Sequence, residues 1–207
     1  MGFRLSVVAL PGDWSFERLI ELRVCGPKRL EDVARDDLFY PAEEPSVVKV
    51  GGYTCVFWFG FYERFVTGKE DVSLEARLLG AIGNERAYYF CLVSTINLYA
   101  LIAWQDGRCT RRLVGWSDEL NFDDGAPLPE EARERERFDI EEADGPPRFR
   151  DKATGELYSH DQVGESFVFA ASAAVFGVSL VHGAGLETLP AKLPRYETWE
   201  AYRTRLH

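Results

Sequence analysis

Arg86 to Trp116 reads RAYYFCLVSTINLYALIAWQDGRCTRRLVGW, and its pattern of apolar residues points to the class of the fold. Arg86 to Val93, Ile96 to Gln105 and Arg108 to Trp116 are strand-like runs of aromatic, aliphatic and β-branched residues. Asp106-Gly107 between the last two suits the positive φ angles of a tight hairpin turn, so the pattern predicts a three-stranded antiparallel meander. Along the middle strand Ile96, Leu98, Ala100, Ile102 and Trp104 alternate with Tyr99, Leu101 and Ala103, which makes both faces apolar. A strand of that kind must be covered on both sides. Helices from elsewhere in the chain are the natural cover, and the expected class is α+β: an antiparallel sheet covered by helices, in one domain spanning residues 1–207.

Outward from this stretch, Phe3 to Leu10 reads as a strand ended by Pro11-Gly12, and Ser15 to Leu22 as a short helix. Gly51-Gly52 joins a strand through Val47, Val48 and Val50 to a second over Tyr53 to Phe59. A helix is expected from Ser73, as its N-cap, to Leu79, with Gly80 as its stop. Pro129 opens another short helix, whose Glu130 and Glu131 complement the N-terminal dipole and whose Glu131 reaches Arg135 one turn on. Asp144-Gly145-Pro146-Pro147 breaks the chain, and Asp151 to Leu157 is read as a turn. Ser159-His160-Asp161-Gln162 matches a capping box, opening the main core helix that ends at Gly177 and buries Val163, Phe167, Ala170, Ala171, Ala174 and Val175. A Pro-punctuated tail from Thr188 to Pro194 leads to a terminal helix within Tyr196 to Leu206.

Charge is unevenly spread. Of a formal net charge of -10, -9 falls between Ser117 and Asp144, where twelve Asp and Glu residues face only Arg133, Arg135 and Arg137. A local negative field attracts basic partners and repels phosphate backbones, so nucleic-acid binding is disfavoured. The segment is read as an acidic loop and short helix inserted at about residues 117–150.

Cys25, Cys55, Cys91 and Cys109 form no Cys-x-x-Cys pair, and small buried thiols in a reducing cytosol are expected. The apolar run after Met1 stops at Pro11, too short for a signal sequence, and no stretch is long and apolar enough to span a bilayer. A cytoplasmic protein without a membrane partner is the resulting expectation.

The chemistries sought in the sequence are mostly missing. His160, His182 and His207 share no metal-binding spacing, and His160 is read as a surface residue of the helix cap; no metal and no cofactor are expected. Gly183-Ala184-Gly185 begins like a dinucleotide fingerprint, but Thr188 stands at the third Gly position. The Gly68-Lys69 pair is followed by Glu70 where a phosphate loop needs Ser or Thr. Ser166 lacks the second Gly of a nucleophile elbow, and contiguous Ser159, His160 and Asp161 explain capping better than a triad. Aligning Gly125 with the sixth position of a calcium loop puts Leu120 and Phe122 where oxygen ligands belong. No catalytic residue is assigned.

The stretch Ile96 to Arg108, followed by Arg111-Arg112 and then by Asp123-Asp124-Gly-Ala-Pro-Leu-Pro-Glu-Glu131, resembles one found in a group of uncharacterised bacterial proteins, a domain of unknown function. Val163-Gly-Glu165 and Val175-Phe-Gly177 are similar to the C-terminal helix of that group, so the resemblance covers about half of the chain. It implies a bacterial cytosolic α+β domain and transfers no catalytic residue.

The first functional reading is a non-enzymatic binding or inhibitor protein, of the immunity-like kind that neutralises a basic partner. Asp118, Glu119, Asp123 and Asp124 form its docking face, with Trp116 and Phe122 as aromatic anchors. The second is a small-molecule enzyme with a carboxylate-containing cleft, and the third a structural subunit of a bacterial assembly. The sequence assigns neither an oligomeric state nor a partner's identity.

Overall fold

A computed structural model describes residues 4–35, 37, 43–67, 72–116, 119–142, 147–177 and 189–206. Its centre is a seven-stranded antiparallel sheet. The strands are β1 (Arg4–Pro11), β3 (Ser46–Val50), β4 (Tyr53–Phe57), β5 (Ala87–Val93), β6 (Leu98–Gln105), β7 (Arg108–Trp116) and β8 (Glu119–Gly125), in the order β3-β4-β1-β5-β6-β7-β8. A two-stranded pair joins β2 (Val33–Ala34) to β12 (Lys192–Leu193), and a small sheet runs β11 (Leu157–Tyr158), β10 (Arg148–Asp151), β9 (Phe138–Glu141). The architecture mixes α and β and is mostly sheet.

The middle of the sheet is apolar on both faces, as the alternation along β6 requires. Tyr99, Leu101 and Ala103 face a core shared with Leu5, Phe57, Phe90 and the helix α5 (His160–Phe176). Leu98, Ala100, Ile102 and Trp104 face a second core, filled from α1 (Phe16–Glu21), α2 (Gly60–Phe65) and α3 (Val72–Ile82) by Leu19, Phe61, Phe65, Leu74 and Leu78. Asp106 and Gly107, at φ 54° and 68°, make the turn between β6 and β7. α4 (Pro129–Arg135) and the small sheet complete the α5 side, and α6 (Trp199–Arg205) is capped by Thr198, whose hydroxyl accepts from the Ala201 N–H at 3.1 Å.

Several local expectations are corrected. The strand through Tyr53 ends at Phe57 because Phe61 and Phe65, one helical turn apart, bury together on α2. Ile96 lies in a short 3₁₀ turn and is exposed, so it does not belong to the β6 face. α3 starts at Val72, which puts Ser73 inside its first turn. It runs through Gly80 and ends before Gly83, whose φ of +66° supplies the left-handed stop. The acidic stretch from Glu119 to Gly125 is a strand, where a loop was expected: pairing with β7 satisfies the backbone groups on its inner side, with Asn121 left over at a bulge.

On α5 the buried face is Val163, Phe167, Val168, Ala171, Ser172 and Phe176, with Ala170 and Val175 half-buried and Ala174 exposed. The stripe is rotated from the expected one because Gly164 must lie against the Tyr99 ring. Ser117, Asp118, the Asp144 to Pro146 break, the Gly68-Lys69-Glu70 run, His182, the Gly183 to Gly185 run, Thr188 and His207 lie outside the described residues. Among the described residues, no helix is long and apolar enough to cross a membrane.

Candidate functional site

β8 is the last strand of the large sheet, and its side chains divide between the two faces. Cross-strand partners share a face, so the register with β7 places each of them. Asp123 is opposite Leu113 and looks toward α4 and α5. Phe122 is opposite Val114 and Asp124 opposite Arg112, both on the α2–α3 side, where Glu119 stands opposite half-buried Trp116. A bulge between Val114 and Gly115 shifts the register and leaves Asn121 as the extra residue. Of the six residues marked by sequence, Trp116, Glu119, Phe122 and Asp124 therefore share one face, Asp123 stands on the other, and Asp118 lies outside the described residues.

The division has an electrostatic consequence. Asp123 is held by two cations, with Arg111 at 2.7 Å and Arg135 at 3.1 Å. Burial alone would raise its pKa, but hydrogen bonds from Arg111 and Arg135 and the attraction of both guanidinium groups outweigh this and hold it below the usual carboxylate range. Asp123 is thus tied into the scaffold by two ion pairs.

Behind it lies a feature that sequence reading missed. Glu131, from the first turn of α4, meets Arg111 from β7 with both side chains fully buried. Arg111 Nε and Nη2 donate to Glu131 at 2.9 and 2.5 Å, and Nη1 donates to the carbonyls of Asp124 and Gly125 at 2.9 and 3.4 Å. Burial opposes the Arg111 charge, yet the Glu131 hydrogen bonds prevail and its pKa is raised. The expected Glu131–Arg135 contact exists at 3.0 Å, as the outer layer of the same cluster. The signal for this pair was the two-residue alternation from Leu113, which turns Arg111 inward; Arg112 points the other way, donating to the Phe65 carbonyl at 2.8 Å and to Glu75 at 2.9 Å.

Much of the acidic segment is neutralised in the same manner. Glu134 pairs with Arg137, Glu141 with Arg150 and Asp139 with Lys152. Among the described residues, Glu119, Asp124, Glu130, Glu136 and Glu142 make no ion pair, and of these only Glu119 and Asp124 stand on β8 beside exposed apolar side chains, Leu120 and Phe122.

His160 is buried, contrary to the surface position expected of it. Its Nδ1 lies 3.1 Å from the Tyr99 hydroxyl, because the start of α5 sits directly on β6. Burial, then the negative charges of Asp123 and Asp161, push the Tyr99 hydroxyl pKa well up. Gln162 Oε1 accepts from both the Ser159 N–H and the Ser159 hydroxyl at 3.0 Å, closing the cap from the Gln side.

A groove of about 350 Å³ lies between α5, α4 and the β3–β4 turn, lined by Tyr53, Arg86, Tyr88, Glu130 and Val175 among others. It contains one carboxylate, Glu130, and Arg86 is committed to Gln105 at 2.8 Å. Among the described residues no three Asp, Glu, His or Cys side chains gather in a metal-binding group. Comparison with protein-family models, with curated proteins and with solved structures finds no match for this chain.

Proposed function

We propose that this chain is a non-enzymatic binding protein, of the inhibitor or immunity-like kind, that engages a basic partner through the acidic outer strand of its sheet. The observation that carries this reading is the combination on one face of β8 of exposed Phe122 with Glu119 and Asp124, carboxylates that make no ion pair among the described residues. An exposed aromatic side chain flanked by unpaired charges of one sign supplies burial and steering together. The docking residues are accordingly Glu119, Asp124, Phe122 and Trp116. Asp123 is removed from that set by its ion pairs, and Asp118 stays in it on the sequence argument alone. A cytoplasmic setting and kinship with the uncharacterised bacterial group belong to the same proposal.

The test is affinity capture from the native cytosol at low salt, followed by association kinetics with the recovered protein. A basic protein is expected. Neutralising Glu119 and Asp124 as Glu119→Gln and Asp124→Asn should slow association and flatten its salt dependence, since steering weakens as the screening length falls to about 8 Å at physiological ionic strength. An association rate unchanged by these substitutions at every salt concentration would remove the two carboxylates from the docking surface.

A further inference from the structure

We infer that the outer edge of β8 takes its partner by strand addition: the occupant is an extended basic segment that sets an apolar side chain beside Phe122 and cations beside Glu119 and Asp124. This rests on the proposed binding function and specifies how the partner docks.

The two edges of the large sheet are treated differently. At one end the chain covers β3 itself, since Ser46 bridges Arg195 and the Val47 N–H donates to the Pro194 carbonyl at 3.3 Å. At the other end β8 pairs with β7, and among the described residues no strand lies beyond it. An uncovered edge presents N–H and C=O groups that a second strand can satisfy. β8 also keeps apolar surface in solvent, with Phe122 43% and Leu120 39% exposed.

Charge selects the occupant. An added strand lays its side chains next to those of β8 on each face, and like charges placed together across strands destabilise the pairing. A second copy of β8 would bring three more carboxylates, Glu119, Asp123 and Asp124, to the same edge and no cation to meet them. A Lys- or Arg-bearing segment meets Glu119 and Asp124, on the Phe122 face, with opposite sign. β8 is seven residues long, so the docked segment should be of similar length.

The experiment titrates the intact protein, at low salt, with three nonapeptides: a Lys/Val peptide, Thr-Thr-Lys-Thr-Val-Thr-Lys-Thr-Thr, whose alternation puts Lys, Val and Lys on one face; the same sequence with every backbone nitrogen methylated; and a Glu/Val peptide with Glu in place of both Lys. The Lys/Val peptide should bind and the Glu/Val peptide should not. Methylation should weaken binding by about tenfold or more, because it removes the backbone donors and leaves the charge. Phe122→Ser should also weaken binding of the Lys/Val peptide without lowering the melting temperature, and the double change Glu119→Lys/Asp124→Lys should transfer preference to the Glu/Val peptide. Equal binding of the methylated peptide would overturn strand addition and leave a purely electrostatic binding protein. No binding of the Lys/Val peptide would overturn it as well, while capture of an intact partner tests the broader reading separately. A dimer that forms at low salt and is abolished by Phe122→Ser would assign the edge to a second copy, against the inference.

Discussion

Arg111 of β7 and Glu131 of α4 form a charge pair at 2.5 Å with both side chains fully buried, and this pair ties the acidic segment to the sheet. Arg111 has five N–H donors, and its neighbours Glu131, Asp123, Asp124 and Gly125 accept from all three of its nitrogens, so the usual penalty of a buried guanidinium is offset. Breaking one partner leaves the other charge buried. Glu131→Ala should therefore destabilise by about 3–5 kcal/mol, while the apolar double replacement Arg111→Met/Glu131→Leu should recover most of the loss. Urea unfolding of the two variants decides it: equal midpoints would show that the ion pair is not the determinant.

Acid should loosen the same cluster. Asp123 has a depressed pKa in the folded chain, so the unfolded chain binds the proton more readily, and its contribution is fully present above the unfolded value of about 3.9. That stability is lost as pH falls through the lower folded value. Asp123→Asn should flatten the pH dependence of stability below about pH 4 and leave its shape near neutrality alone. Thermal melts from pH 2 to 7 provide the check.

Tyr99 lies between two glycines. A Cβ added at Gly164 would come within 2.3 Å of the Tyr99 ring, and one at Gly115 within 2.5 Å of its hydroxyl oxygen. Gly164→Ala is expected to cost about 1–3 kcal/mol through overpacking. Combined with Tyr99→Leu, the two changes should be non-additive, since the smaller side chain makes room for the methyl. Additive losses in a double-mutant cycle would mean that the ring yields more easily than its packing implies.

Phe167 is buried on α5 in the first core, so Phe167→Ala should cost about 3–5 kcal/mol. Ser159→Ala keeps the backbone N–H that donates to Gln162 and loses only the hydroxyl, for which about 1 kcal/mol is expected. Comparison of denaturant midpoints measures both, and a Phe167→Ala variant no less stable than Ser159→Ala would contradict the packing described for α5.

The four cysteines should react unequally. Burial pushes the thiols of Cys25 and Cys91 up to about 12 and that of Cys55 higher, whereas Cys109 is exposed and its rise through partial burial is opposed by the nearby Arg112. A thiol reagent at pH 8 should modify one cysteine slowly in the native protein and four after unfolding. Mass mapping should place the native adduct on Cys109.

Local periodicity carries the part of this fold that is legible in the sequence. The two-residue alternation along Leu98 to Gln105 settles a strand covered on both faces, and Asp106-Gly107 settles the turn after it, because each depends on neighbours within a few residues. The capping segment before α5 and the Pro-led start of α4 were legible for the same reason. Which carboxylates remain available to a partner is set only in three dimensions. Asp123 and Asp124 are adjacent, chemically alike and both exposed, yet the pleat sends one to Arg111 and Arg135 and leaves the other without an ion pair among the described residues. The same applies to Glu131, which sequence alone presents as a helix-terminal surface charge and the fold buries against Arg111, twenty residues away. His160 was likewise placed on the surface by its cap position and drawn inside by Tyr99 from a strand sixty-one residues earlier. Coulombic and hydrogen-bond partners are set by distance in space, and a sequence records such distances only where its local period carries two residues to the same place.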